Sequence, residues 1–345
     1  MTETNLAILA AAGSRKTEYI IESALEVSLG RVLLLTFTSE NQRHIVNRIE
    51  AKAGAIPPHI TVMGWFSFLI SQGAKPYQRA ITREPLLIRG LNFVGRHHRF
   101  AKTSSLGYYI DANNDLYRDG VSDFVVRLNE ATDGAVVRRL EQAYSHIFVD
   151  EVQDLVGYDL DVLDLLLRSG VTLVIVGDPR QHTYSTNLSP KHKKYQGAGL
   201  AQWLKERSGI CTLEERCVSY RSSQAICDFA DALYPDMPPT VSVDVPDSGH
   251  DGVVLVPRSE ARAYYSTHDS VTVLRYDKSQ DTAGLPAMNI GLAKGRTFGR
   301  VMLFPTKTML DYLDHRDPTR LGARAKLYVA ATRAQFSFAI VVPDS

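Results

Sequence analysis

Apolar residues fall along this chain in short runs separated by turn residues and by longer amphipathic stretches. The runs at 6–11, 31–37, 60–63, 146–149, 171–176, 271–274, 300–304 and 337–342 are four to seven residues long, the length of a buried strand. Between most of them the apolar positions take helical spacing, at 16–28, 40–53, 158–168 and 222–233. Strand and helix in alternation predict an α/β fold with mostly parallel sheets covered on both faces. Two stretches break the rhythm. Residues 71–144 are polar and rich in Arg, His and Tyr, and are expected to form a largely helical insertion. Residues 235–270, with several Pro, Asp and Gly, are expected to form loops and short strands. A boundary near 212–218 then divides the chain into a first lobe, 1–215, and a second, 216–345.

Composition alters this picture little. A chain of 345 residues with 44% apolar content supports two ordinary cores. Charge is nearly balanced, 39 basic against 38 acidic residues, so any affinity for a polyanion depends on where the charge lies rather than on its sum. Cys211, Cys217 and Cys227 form neither a CxxC pair nor a disulfide framework, which fits a reducing, cytoplasmic compartment. The apolar opening at 6–12 is short and preceded by Glu3 rather than a basic segment, unlike a signal peptide. No run is long enough to span a bilayer, so no membrane partner is expected.

The candidate chemistry sits at strand ends. Ala10, Ala11, Ala12, Gly13, Ser14, Arg15, Lys16 and Thr17 lie between a predicted strand and a predicted helix. Backbone N–H groups and a helix N-terminus in that context cradle phosphates, as in a P-loop. Lys16 would reach the β- and γ-phosphates of ATP, and the Thr17 hydroxyl would bind Mg²⁺. The pattern departs from GxxxxGK[ST] at Ala10 and at Arg15, both glycines in that motif. A strand–turn–helix with a surface Arg–Lys pair is the competing reading of this segment alone. The run HIFVDEVQD ends a predicted strand in Asp150 and Glu151, where Asp150 would bind the Mg²⁺ and Glu151 would act as general base. A second such end, LVIVGDPRQHTY, places Gln181 to sense the γ-phosphate or the attacking water.

Taken in order, these segments resemble the UvrD/Rep-like branch of superfamily 1 helicases. VLLLTFTSENQRHIVNRI and ITVMGWFSFLI are similar to the motifs that follow the P-loop, FVDEVQD to the acidic box and VIVGDPRQHTY to the third motif. VSYRSSQAI, LAKGRTFGRVMLFPT and KLYVAATRAQFSFAIVV are similar to the motifs of the second lobe. The resemblance implies two RecA-like P-loop NTPase lobes and an ATP-dependent DNA helicase or single-strand translocase, with 3′-to-5′ polarity by analogy. It implies that Tyr220 stacks on adenine, that Arg221 and Arg333 contact the γ-phosphate, and that Gly295 belongs to the nucleotide site. Thr36, Phe37, Thr38, Trp65 and Tyr184 would face single-stranded DNA, or RNA, with burial in the core the competing reading for Phe37 and the aromatics near Trp65. Lys191 to Lys194 are equally a backbone contact or a solvated charge run.

The sequence also departs from that family. Arg15 replaces a glycine, Thr297 stands where many relatives have glutamate, the upstream glutamine segment is absent from the chain given, and both insertions are reduced. These departures leave open an ATP-gated nucleic-acid-binding subunit, for instance beside a nuclease in a repair or phage-defence complex. An ATPase that remodels RNA or DNA with little unwinding stays open too.

Overall fold

In a computed structural model of the chain, residues 4–81, 86–98, 100–243 and 245–344 are described. Glu3, and residues 82–85, 99 and 244 of the two expected insertions, lie outside them. Contacts divide the chain into two compact units, Met1–Leu9 with Lys16–Glu214 and Ala10–Arg15 with Glu215–Ser345.

The first unit is built on β1 (Leu6–Ala10), β2 (Val32–Thr36), β3 (Ile60–Gly64), β4 (His146–Val149), β5 (Thr172–Gly177) and β6 (Thr212–Arg216). They lie in the order β3-β2-β4-β5-β1-β6, and the pairings β2–β3, β2–β4, β4–β5 and β1–β5 are parallel. Val32, Leu33, Leu34 and Leu35 are fully buried. Such a strand reads as a continuous apolar run because a parallel sheet has no wet face. Helices α1 (Lys16–Glu26) and α2 (Ser39–Ala53) connect the early strands. The Thr38 hydroxyl accepts from the Asn41 N–H at 3.1 Å to start α2. Gly54, in the left-handed region at φ 80, closes it with an N–H to the Glu50 carbonyl.

The first expected insertion opens on irregular helical turns at Leu69–Ala74 and Lys75–Tyr77 and is α-helical only in its last part, α3 (Val121–Ala131) and α4 (Ala135–Ala143). Before them, the described residues 86–117 form turns and a two-residue ladder of Leu91–Asn92 with Leu116–Tyr117. The physical reason lies in local side-chain bonding. Asp111 Oδ1 accepts from the N–H groups of Asn113 and Asp115, and such bonds offer the backbone an alternative to the helix ladder.

One buried carboxylate ties these pieces together. Asp159, at the start of α5 (Tyr158–Leu167), is 0% exposed. Its Oδ1 accepts from Trp65 Nε1 at 2.8 Å and from the Ser122 hydroxyl of α3. Its Oδ2 accepts from the Val156 N–H at 3.1 Å, from Asn187 Nδ2 at 3.1 Å and from the Thr186 hydroxyl.

The second unit has its own sheet of β7 (Gly252–Pro257), β8 (Val271–Arg275), β9 (Ala287–Asn289), β10 (Phe298–Leu303) and β11 (Ala334–Val342). The order is β7-β11-β10-β8-β9 and every pairing in it is parallel. Helices α6 (Gln224–Asp231) and α7 (Arg324–Ala331) bury Ile226, Phe229, Leu327 and Tyr328 in the same core as Phe338 and Ile340. Residues 252–257, expected within a reduced insertion, instead supply a full edge strand of this sheet. The run GVVLVP carries the signal, but its flanking Asp, Ser and Gly turn residues mask it in a window average. All the strands predicted from sequence are present, with ends within three residues of expectation.

Asp159→Ala should destabilise the first unit by at least about 3 kcal/mol, because it strands several buried donors at about 1 kcal/mol or more each. Thermal and urea unfolding would check this; a loss under about 1 kcal/mol would mean the node is dispensable.

Candidate functional site

Four of the expected site residues meet at strand ends of the first unit. Thr17, in the first turn of α1, donates its hydroxyl to Asp150 Oδ2 at 2.9 Å, immediately after β4. Asp150 is 5% exposed. Burial and the neighbouring Glu151 carboxylate push its pKa up to about 7, against the opposing pull of the Thr17 hydrogen bond and the Lys16 ammonium. Two adjacent carboxylates in a desolvated place disfavour full ionisation until a cation joins them. Glu151 occupies the left-handed region at φ 57, an uncommon and strained setting for a side-chain-bearing residue. Its carboxylate accepts from Gln153 Nε2, and its own N–H donates to Asp150 Oδ1 at 2.9 Å.

Gln153, not singled out from sequence, links this acidic box to the next strand end. Its Oε1 accepts from the Asp178 N–H at 3.1 Å and its carbonyl lies 2.6 Å from His182 Nδ1. Asp178 in turn holds Gln181, whose Nε2 donates to Asp178 Oδ2 at 2.9 Å, and Arg180, whose Nε donates to Oδ1 at 3.1 Å. Burial raises the Asp178 carboxyl, but the Arg180 and Lys16 charges with these hydrogen bonds outweigh it and hold the pKa below its ordinary value. The order of Gln and Asp in DEVQD and of Asp and Arg in GDPR was the available signal.

The loop before Lys16 groups with the second unit. The Ala11 N–H donates to the Arg216 carbonyl at 2.9 Å, the Ala12 N–H to the Tyr328 hydroxyl at 3.3 Å, and the Tyr220 N–H to the Gly13 carbonyl at 3.0 Å. Gly13, at φ 81, has no room for a side chain, since a Cβ would lie 2.5 Å from Ser219 Oγ and 2.7 Å from Arg221 Cβ. The Ser14 hydroxyl is buried without a hydrogen-bond partner in this structure. Arg15 is left-handed at φ 60, a conformation that costs a side-chain-bearing residue about 1–2 kcal/mol. Its guanidinium lies over the Tyr220 ring, 4.1 Å from the centroid; such a contact offsets about 0.5–1 kcal/mol.

Arg221 and Arg333 converge on Thr332: Arg221 Nη1 donates to the Thr332 carbonyl at 3.1 Å and Arg333 Nη2 to its hydroxyl at 3.4 Å. Arg333 also donates to the carbonyls of Val329 and Arg296. Gly295 adopts φ 82 in the turn before β10.

Residues expected at a nucleic acid divide. Tyr184 is 44% exposed. Phe37 is half-buried and packs against Phe66, with centroids 6.0 Å apart. Thr38 caps α2, and the buried Thr36 hydroxyl has no hydrogen-bond partner in this structure. Trp65 is a correction. It is 1% exposed with its N–H taken by Asp159, so it belongs to the core.

Mg²⁺ takes one or two protein oxygen ligands and fills its shell with water and phosphate; the Thr17 hydroxyl beside the Asp150 carboxylate is an oxygen pair that fits such an ion.

Residues 108–190, which include the acidic box and Gln181, match the UvrD/REP helicase N-terminal domain. The whole fold is similar to the crystal structure of Arterivirus nonstructural protein 10, a helicase, with a TM-score of 0.51 and 18% identity over 98% of this chain and 59% of that one. The same viral protein in complex with DNA gives a TM-score of 0.50 and 17% identity over 98% and 61%. The chain shares its fold with that viral helicase, and the family match covers residues 108–190. The chain spans about three fifths of the length of those helicase chains. No curated protein matches it. Among the described residues, no helix is long and apolar enough to cross a membrane.

Two outcomes follow from this geometry. Because the folded pKa of Asp178 lies below the unfolded one, its contribution to stability is present above roughly pH 4 and lost as pH falls through the depressed value. Arg180→Ala should therefore cost about 3 kcal/mol or more at pH 7, by leaving a buried charge uncompensated, and much less at pH 3, as urea unfolding at both pH values would show. Arg15→Gly should uncover Tyr220 and lower the KM for ATP about two- to fivefold; an unchanged KM would show that the cation–ring contact does not compete with nucleotide.

Proposed function

We propose that this protein is an ATP-hydrolysing motor that moves along single-stranded DNA, a helicase or translocase of superfamily 1 with 3′-to-5′ polarity. The observation that carries the reading is the hydrogen bond from Thr17 to Asp150. It joins the two protein ligands a nucleotide-bound Mg²⁺ needs, at the ends of parallel strands where such folds bind ligands. Bound there, Mg²⁺ would neutralise phosphate charge. Lys16 binds the β- and γ-phosphates as a point charge, while Thr17 and Asp150 orient the metal. Glu151 takes the proton from the attacking water, and Gln153 holds its carboxylate in place. Gln181, fixed by Asp178, positions that water. Arg221 and Arg333 supply guanidinium charge for the transferring phosphoryl group, and Tyr220 stacks on adenine. Tyr184 stacks on a base of the strand, with Thr38 and Phe37 beside the phosphate backbone. The DNA complex of the viral helicase, which shares the fold, supports a nucleic-acid substrate.

A second reading is a nucleotide-gated binding subunit that clamps nucleic acid, or a protein partner, without sustained turnover. Arg15 on the Tyr220 ring favours it.

Steady-state ATPase assays with and without single-stranded DNA separate the two. Stimulated hydrolysis that falls about a hundredfold or more in Glu151→Gln is the outcome expected of a motor. ATP binding without any stimulated hydrolysis would replace the motor with the clamp, and strand separation on a tailed duplex would distinguish helicase from translocase.

A further inference from the structure

The first unit also holds a cavity of about 390 Å³ that plays no part in the chemistry above. Arg96, His97, Tyr108, Tyr117, Asp119 and Tyr158 are among its lining residues. The cavity is lined by phenols, an imidazole, carboxylates and a guanidinium together with Leu188 and Pro190, so it offers a ligand both flat apolar contact and polar partners, and its size falls within the roughly 300–1,000 Å³ of small-molecule sites.

The lining specifies the occupant's chemistry. His97 and Tyr108 are already stacked, with centroids 4.0 Å apart and planes at 27°. Together with Tyr117 and Tyr158 they make an aromatic lining suited to a flat ring. Asp119 accepts from Arg118 through Oδ1; a carboxylate has about four lone-pair directions, so Asp119 retains capacity for further donors. Asp123, also in the lining, is bound by Arg127 at 3.1 Å and by the Tyr109 hydroxyl at 2.8 Å. Both acids are thus offset by an arginine outside the lining, and Arg96 leaves the lining suited to an anion. A flat ring with N–H donors on one edge and an attached phosphate describes a nucleotide. A guanine presents adjacent N–H donors to one carboxylate.

The walls are held in place before any ligand arrives. Ser122, between Gly120 and Asp123, and Thr186 and Asn187, just before Leu188 and Ser189, all bond to Asp159, the neighbour of Tyr158. The buried carboxylate therefore fixes three of the chain segments that contribute these walls, while Arg96 and His97 come from a fourth. Preorganisation of this kind lowers the entropy cost of binding.

We infer that this cavity binds one guanine nucleotide, with the base against the tyrosines, its amino edge on Asp119 and its phosphate on Arg96. The same chemistry could reach the site as a free mononucleotide or as an unpaired residue of a strand. The inference does not depend on ATP hydrolysis.

Calorimetric titration of GMP into the full chain carrying Lys16→Ala, which silences the phosphate loop, tests it. GMP should bind, and inosine monophosphate, lacking only the exocyclic amine, should bind about tenfold more weakly. Tyr117→Ala should weaken both about tenfold, Asp119→Asn should erase the preference for GMP, and Arg96→Ala should flatten the salt dependence; circular dichroism would verify that each variant is folded. No GMP binding, or GMP binding unchanged by Tyr117→Ala and Asp119→Asn, would overturn the site. A dT oligonucleotide whose affinity rises on gaining a single dG, with that gain lost in Asp119→Asn, would identify the strand as the source; GMP binding with no such gain would identify the free nucleotide. ATPase of the wild type is read separately, so loss of one activity leaves the other interpretable.

Discussion

Buried carboxyl groups are the constraint around which the first unit is arranged. Asp150, Asp159 and Asp178 are each 5% exposed or less, and an ionised carboxylate in such a place is costly unless donors or cations answer it. Each is answered differently. Asp159 is surrounded by neutral donors from four parts of the chain, which makes it a structural node. Asp178 is met by Arg180, Gln181 and Lys16, which makes it a fixed anchor for a polar loop. Asp150 is met by the Thr17 hydroxyl, the Glu151 N–H and the Lys16 charge, yet burial and the Glu151 carboxylate still push its pKa up. A cation beside it would favour its ionised form.

The same arrangement links chemistry to substrate. Gln153 touches Glu151 on one side and Asp178 and His182 on the other. The loop that begins there carries Tyr184 and ends on the Asp159 node through Thr186 and Asn187. Hydrogen bonds thus run from the proposed general base through Gln153 to His182, two residues before Tyr184, the proposed strand contact. The geometry supplies a physical connection; coupling along it is a separate property that needs a two-state element.

Arg15 illustrates how a motif can be retained in shape and changed in use. The backbone keeps the left-handed turn that a glycine would supply freely, and the side chain spends its charge on the Tyr220 ring. The Ala11 and Ala12 N–H groups are likewise engaged by Arg216 and Tyr328, so phosphate binding in this loop would exchange existing bonds for new ones.

The sequence by itself determined the strands, their parallel character and the position of acids at their ends, because apolar runs buried on both faces and turn residues after them are local signals. It also placed Thr17 and Asp150 in one site through motif order, although they are 133 positions apart. Tertiary structure alone decided the rest. Trp65 and Tyr184 are both aromatics beside polar motifs, and only the presence of Asp159 within 2.8 Å of the Trp65 indole sends that ring to the core. Residues 252–257 became a strand because an open edge beside β11 was there to pair with. The cavity near Tyr117 has no sequence signature at all, since its walls come from separate segments, three of which Asp159 ties together. Local patterns encode what a residue prefers; which donor reaches a buried charge depends on distances that only the folded chain defines.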